Sequence, residues 1–429
     1  MCDTMVALGM ATRDGSVLFA KNSDRQPNEA HIMVRVPRKN HPAGEKVKCT
    51  YVEVEQSELT YEVFLLKPAW IWGCEMGSNE YGLNIGNEAV FTLEKYAKDG
   101  LTGMDMIRLA LERCKNSLEA VNFITSLLQQ HQQGGNCGYQ KKFYYHNSFL
   151  IADPESAWVL ETAGEFWAAE RVKDVRSISN SLSIGKSFEK AHPRLVQNAI
   201  ERKWCKSEQD FDFAQCYSDS LFTHFSGAKT RQAFSQSVLE QNRGQIDVKL
   251  MQSILRSHHP AREGKQFRRS CLKSVCMHGG GIIGDHTTGS YVASLSKEQC
   301  TYWVTGSPTP CVSIFKPLWL TDYDGIPFKE EDFEKALAFW KKRDDLFRMI
   351  LHQQITELSD YIEERDQLEE EWMQMAQIME KGNQEEMKRI MASAWTREEE
   401  LVSRMLTENE SHHPHLQGSP FFRYYWRKR

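Results

Sequence analysis

Cys2 stands directly behind a single methionine. Methionine aminopeptidases remove Met1 ahead of small residues, and cysteine is small. A chain opening at Cys2 carries a thiol and a free α-amine on one residue. Their ordinary pKa values, about 8.5 and about 7.7–8.0, let the amine accept the thiol proton near neutral pH. That pair can attack a carbonyl carbon without a histidine base. Asp24 is the carboxylate expected to hold and orient the ammonium between proton transfers. The competing reading of Cys2 is an incidental cysteine at a disordered chain start.

The elements must bring Cys2 and Asp24 together. Residues 4–12 are apolar and strand-like, Asp14-Gly15 is a turn signal, and residues 17–20 resume as a second strand. A two-residue loop at Asp14-Gly15 pairs residue 2 with residue 27 or so, and a bulge at Gly9 shifts this by one or two. Cys2 and Asp24 are therefore expected as neighbours. Further strands are expected at residues 48–54, 61–66, 82–87, 146–152, 157–161, 166–172 and 175–184. Residues 287–295 and 299–305 read as a last hairpin. Residues 102–131 carry an apolar stripe at helical spacing, and 186–265 read as mostly helical. Clustered strands with intervening helical blocks predict an α+β fold with a largely antiparallel sheet.

Composition changes near residue 326. Residues 329–406 are rich in Glu, Lys, Gln, Met and Leu, with Leu351, Ile355, Leu358 and Ile362 spaced by four, three and four. This predicts a helical hairpin or coiled-coil appendix over 326–410, after a main domain at 1–325 and before a basic, aromatic tail at 411–429. The 429 residues are 41% hydrophobic and 26% charged, with a formal net charge of −5. A broad nucleic-acid footprint is not expected from that balance. No run approaches the roughly 20 apolar residues of a membrane span, and the start lacks a secretory layout. The 11 cysteines are scattered, odd in number and without a CxxC pair. A reducing, cytoplasmic location is expected.

Several runs together carry a family resemblance. They are Met1-Cys2-Asp3-Thr4, the segment Phe19-Ala20-Lys21-Asn22-Ser23-Asp24-Arg25, residues 70–79, and the run Asn79-Glu80-Tyr81-Gly82-Leu83-Asn84-Ile85-Gly86-Asn87-Glu88-Ala89-Val90. His146-Asn147-Ser148-Phe149 and Leu160-Glu161-Thr162 complete the set. Jointly, from residue 2 to about 320, the chain resembles the secernin group of the dipeptidase A family, cysteine N-terminal-nucleophile hydrolases. More distantly it resembles bile-salt hydrolases and penicillin V acylases, which share the Cys start and the Asn-x-Asp element. The resemblance implies a four-layer αββα sandwich. It also implies hydrolysis of linear amide bonds, chiefly in dipeptides, with no cofactor.

Position by position, the resemblance makes Cys2 the nucleophile and Asp24 the carboxylate at its amine. Asn87 and Asn180 fall where the acylase relatives place asparagines around the oxyanion, although Asn180 also reads as a strand-end turn residue. Lys21 stands where relatives often have arginine, keeping the charge without the fork. Arg231 is a candidate for a late arginine of the catalytic region, against a solvated helix residue. His146, Asn147 and Trp72 are candidate substrate-side residues, although a lone histidine at a strand start also reads as structural. Trp70 and Trp72 also read as core or pocket-wall aromatics. The leading function is a cysteine-type peptidase acting on small peptides. The alternatives are an amidase or acylase acting on N-acyl amides, and a non-catalytic secernin-like scaffold in trafficking or exocytosis. A homo-oligomer would form through the C-terminal helices.

Three other signals lead nowhere in the sequence. Gly185-Lys186-Ser187 lacks the first glycine of a phosphate loop, because residue 180 is Asn. His278-Gly279-Gly280-Gly281 has no accompanying GxSxG elbow. Cys271, Cys276 and His278 match no standard zinc spacing and lack a fourth ligand, so no metal is expected.

Overall fold

The computed structural model describes residues 1–281, 285–321 and 327–428. The expected domain boundary at 325/326 and the terminal Arg429 lie outside the described residues. Among the described residues two large sheets form. One has six antiparallel strands in the order Val175–Ile178, Cys2–Ala7, Val17–Arg25, His286–Leu295, Thr301–Val304 and Lys316–Leu318. The other runs Lys190–Ala191, Phe166–Arg171, Ala157–Ala163, His146–Ala152, Asn84–Val90, Met76–Asn79, Val63–Pro68, His31–Val36 and Phe328–Lys329. Its last pair is parallel.

Strand alternation decides the layers. Val6, Phe19, Tyr291 and Val304 from the first sheet meet Phe64, Met76, Leu150 and Val159 from the second in one core. On the outer face of the second sheet, Ile85, Phe149, Ile151 and Leu160 pack under helices Gly103–Leu111 and Ser117–His131. The helical region expected over 102–131 is divided into two helices, and Asn116 caps the second by accepting from the Glu119 N–H. On the outer face of the first sheet, Met5, Ala7, Leu18, Ala20 and Val292 pack against helical residues including Leu239, Met251, Leu346 and Trp372. The order is helix, sheet, sheet, helix, the αββα sandwich.

The opening hairpin is wider than the turn signal suggests. Cys2 pairs with Ser23, Thr4 with Lys21 and Ala7 with Leu18. Residues 8–16 form a looped excursion instead of a two-residue turn. Thr12 Oγ1 donates to the Ser16 carbonyl at 2.7 Å, and the Leu8 N–H donates to the Asp174 carbonyl at 2.8 Å. The neighbourhood of Cys2 and Asp24 survives the change of register, since Asp24 follows Ser23.

After residue 327 come three long helices, Phe333–Leu351, Leu358–Ile378 and Gln384–Asn409. The expected helical repeat through Leu351, Ile355 and Leu358 is broken between the first two, where Gln353 adopts a positive φ of 56°. The apolar faces of these helices lie on the sandwich, with Trp340, Trp372 and Trp395 buried. The tail helix Pro420–Arg427 docks through Phe422, Tyr425 and Trp426 on the same layer. A buried ion cluster joins the helices to the sheet edge: Glu398 accepts from Lys316 Nζ at 3.0 Å and from Arg343 Nε at 3.1 Å. Removing the shared anion leaves two buried cations facing each other. Glu398→Ala should therefore lower the unfolding free energy by about 3–5 kcal/mol in a urea titration; a loss below about 1 kcal/mol would show that the cluster does not anchor these helices.

Candidate active site

Cys2, Thr4 and Val6 point between the sheets, and Asp3 points to the helical layer. Cys2 is buried. Its backbone N–H donates to Asn180 Oδ1 at 2.8 Å, and its thiol lies 3.6 Å from Glu75 Oε2. Glu75 is held as a carboxylate. Burial alone would raise its pKa, but Arg25 and Lys21 outweigh that and keep it below the usual range. Arg25 Nη1 donates to Glu75 Oε1 at 2.9 Å and Arg25 Nε to Glu29 Oε1 at 3.0 Å. Burial pushes the Cys2 thiol up to about 12; Lys21 opposes this and Glu75 adds to it. With Met1 attached, the sulfur is a protonated donor and the nitrogen is an amide. Neither attack nor base chemistry is available in that form.

The Met1 ammonium is buried and held by two acceptors. It donates to the Asp24 carbonyl and to Asp285 Oδ2, both at 2.6 Å. Burial would lower the pKa of that ammonium, but Asp285, Cys2 and Asp24 reverse the effect and raise it. The Asp24 side chain accepts from Thr287 Oγ1 at 2.6 Å through Oδ1. Among the described residues its buried Oδ2 has no hydrogen-bond partner. An unpartnered carboxylate oxygen beside a seated ammonium is a poised acceptor.

Arg231 is fully buried on helix Ala228–Gln241, where a solvated position was the competing expectation. Its Nη2 donates to Asn180 Oδ1 at 2.7 Å and to Ser179 Oγ at 2.9 Å, and its Nε to Asp3 Oδ2 at 2.8 Å. Asn180 Nδ2 donates to the Ala89 carbonyl at 2.9 Å. Asn180 therefore links Cys2 in the first sheet to residue 89 in the second. Lys21 is also fully buried; its Nζ donates to the Asn87 carbonyl at 2.6 Å and approaches Glu88 Oε1 at 3.5 Å. Glu88 in turn accepts from Thr4 Oγ1.

Cys2, Asp24, Asn180, Lys21 and Arg231 are thus brought together. Asn87 is not part of that cluster. A Cβ on Gly86 would meet Lys21 and Phe19, and Glu88 reaches Thr4, so those two positions face the first sheet. Asn87 between them faces the helices, where its Nδ2 donates to Asn147 Oδ1 at 3.0 Å. Asn147 Nδ2 continues to Gln133 Oε1 at 3.1 Å. His146 Nδ1 pairs with Thr92 Oγ1 at 2.8 Å, and burial lowers its pKa to about 4. Trp72 lies under the Arg108 guanidinium, 4.2 Å from ring centroid to carbon. Trp70 reaches the cluster instead: its Nε1 donates to Glu29 Oε1 at 2.8 Å. Sequence reasoning passed over Asp3, Arg25, Glu75, Glu88 and Asp285. The available signal was charge inside strands that had to be buried, as in Lys21 to Arg25.

Two face-to-face sheets between helical layers, with Cys2 opening an interior strand beside a buried carboxylate, define the αββα class expected of N-terminal-nucleophile hydrolases. The model of peptidase family C69 matches residues 1–243, and the chain belongs to that family. Among curated proteins it is similar to a "Probable dipeptidase B" of Streptococcus pyogenes serotype M1. They are 26% identical over 162 residues, which is 35% of this chain and 30% of that one. A protein of the same description from a serotype M3 strain matches equally. The match thus spans less than a third of these relatives' length. Among solved structures, a C2A mutant of conjugated bile acid hydrolase from Clostridium perfringens is 12% identical with a TM-score of 0.44, covering 77% of this chain and 95% of that one. Penicillin V acylase from Agrobacterium tumefaciens is 13% identical with a TM-score of 0.44, covering 77% and 89%.

Burial raises the Asp24 carboxyl to about 7, against the opposing pull of the Met1 ammonium. Its folded pKa lies above the unfolded value near 3.9, so folding favours the protonated form. The cost of ionising it is absent below about pH 4 and grows as pH rises toward 7. Relative to the parent, Met1-bearing Asp24→Asn should gain about 2–4 kcal/mol of stability between pH 4 and pH 7.5. Denaturant titrations at both pH values check this, and a constant difference would contradict the assigned burial.

Proposed function

We propose that this chain is a cysteine-type peptidase of the N-terminal-nucleophile class that cleaves small peptides with a free amino terminus, dipeptides first. Within family C69 the quoted motifs favour its secernin group. The reading rests on one observation: Met1 seats its ammonium between Asp285 and the Asp24 carbonyl while its own carbonyl caps the Cys2 nitrogen.

Removal of Met1 then does two things. It leaves the Cys2 α-amine where the amide now sits, against Asn180 Oδ1. It also vacates a buried, anionic seat sized for an α-ammonium. The amine takes the Cys2 thiol proton, with Asp24 Oδ2 free to accept from the resulting ammonium. The thiolate forms a bond to the scissile carbonyl carbon. The oxyanion leans on the second N–H of Asn180 Nδ2, whose first is committed to Ala89. The Cys2 ammonium protonates the leaving nitrogen as the C–N bond breaks. Water then attacks the thioester, and the thiol returns. Arg231 fixes Asn180, and Asn87 supports the strand from behind through Asn147. The substrate's own ammonium would take the place left by Met1, and this favours a peptide over an N-acyl amide.

The mature protein should begin at Cys2 by intact-mass analysis. Cys2→Ala should lose dipeptide turnover to below detection with an unchanged circular dichroism spectrum; turnover retained in that variant removes the hypothesis. Asp285→Asn should raise KM for dipeptides by about 10–100-fold, the worth of a charge-assisted hydrogen bond, and leave N-acetylated substrates unaffected. Equal effects on both substrate types would shift the reading to an acylase, and an unchanged KM on both would remove the ammonium seat.

A further inference from the structure

On the helical side of the first sheet, four side chains from three separated segments converge. His258 follows helix Val248–Leu255, Cys276 and His278 flank Met277, and Cys311 lies in the loop before Lys316–Leu318. Their ligating atoms all fall within 4.8 Å of one another. His258 Nε2 is 3.2 Å from His278 Nε2, and that nitrogen is 3.6 Å from Cys276 Sγ and 3.4 Å from Cys311 Sγ. A tetrahedral zinc with metal–sulfur and metal–nitrogen bonds of about 2.3 and 2.0–2.1 Å separates its ligands by roughly 3.3–3.8 Å. The three distances from His278 Nε2, 3.2, 3.6 and 3.4 Å, lie at or close to that range, and no two of the ligating atoms are more than 4.8 Å apart.

The donor set is the soft mixture that suits zinc, two sulfurs and two imidazole nitrogens, with no carboxylate among them. Cys276 and His278 are buried, and His258 and Cys311 are half-buried. Backbone bonds also pin the segments around Cys276, His258 and Cys311. The Cys276 N–H donates to the Ser257 carbonyl at 2.9 Å, the His259 N–H to Ser274 Oγ at 3.0 Å, and Arg365 Nη1 to the Cys311 carbonyl at 2.6 Å. Cys271, the nearest cysteine in sequence, is not one of the four. The two ligands that join Cys276 and His278 come from 20 residues before His278 and 33 residues beyond it.

We propose that His258, Cys276, His278 and Cys311 bind one zinc ion in a closed structural site. Both thiols bind as thiolates and release their protons. Four protein ligands leave no open position, so the ion serves architecture and not the chemistry of Cys2. Its reach to the site runs through Met277. The Thr287 N–H donates to the Met277 carbonyl and the Met277 N–H donates to Thr287 Oγ1, each at 2.9 Å, and Thr287 Oγ1 donates onward to Asp24. The zinc would fix the segment that holds the Asp24 carboxylate in place. This does not depend on the hydrolase reading.

Full-length protein expressed with zinc and purified without chelator should contain about one zinc per chain by plasma mass spectrometry. Cobalt exchange should give the ligand-field bands of a tetrahedral ion and a thiolate charge-transfer band. Cys311→Ser and His258→Ala should each lose most of the metal, and Cys271→Ser should keep it. Should a ligand variant fail to fold, the cobalt spectrum of the parent still decides the ligand set. Protein with under about a tenth of an equivalent of zinc, a Cys276–Cys311 disulfide seen as a two-hydrogen mass deficit, or metal retained in Cys311→Ser would each overturn the site.

Discussion

The antiparallel ladder between Cys2–Ala7 and Val17–Arg25 is the constraint on which the rest depends. It lies inside a sheet that is covered on both faces, so every side chain on it is buried. Alternation then hands each residue to one of two environments. Cys2 and Thr4 go to the inter-sheet space, and Asp3 goes to the helices. A chemically useful strand in that position must bury charge, and buried charge is tolerated only when it is paired. Lys21 meets Glu88, Arg25 meets Glu29 and Glu75, and Arg231 meets Asp3. The polar end of the core is a set of mutual obligations, and Cys2 sits among them.

Met1 is one more member of that set. Its ammonium is seated by a carbonyl and a carboxylate, and its peptide bond turns the Cys2 nitrogen from a base into a donor. One covalent bond thus decides whether the Cys2 nitrogen is an amide or an amine, and it places a buried ammonium beside the thiol. The raised thiol pKa belongs to this capped state, in which burial and the Glu75 carboxylate disfavour a thiolate.

The layers behind the first sheet keep the ladder in register from outside. Asn22 Nδ2 donates to the Leu255 and Val275 carbonyls at 2.9 and 3.0 Å, tying the second strand to the helical layer. Trp426 Nε1 donates to the Gly279 carbonyl at 3.3 Å, so the tail helix covers the segment that directly follows His278. Trp340 Nε1 donates to the Thr288 carbonyl at 2.9 Å, one residue beyond the threonine that holds Asp24. The C-terminal helices therefore brace the strand that carries the site's back wall.

Period-two and period-3.6 patterns, turn residues and caps act over a few residues, so they were readable in the chain. The sequence by itself determined the opening hairpin, the adjacency of Cys2 and Asp24, the meander from His146 onward and the helical run after residue 329. It did not determine the hairpin's register, because residues 8–16 are held by Asp174 and by their own side chains in place of an Asp-Gly turn. Nor did it determine which face of a two-sided strand meets the other sheet. Asn87 and Glu88 are adjacent and both polar, and only the stacking of Gly86 on Lys21 sends Glu88 inward and Asn87 out. Arg231 and Cys311 lie far along the chain from the residues they meet. Only the closed sandwich brings them within hydrogen-bond or ligand distance, because burial of the surrounding apolar surface, and not local preference, sets where distant segments come to rest.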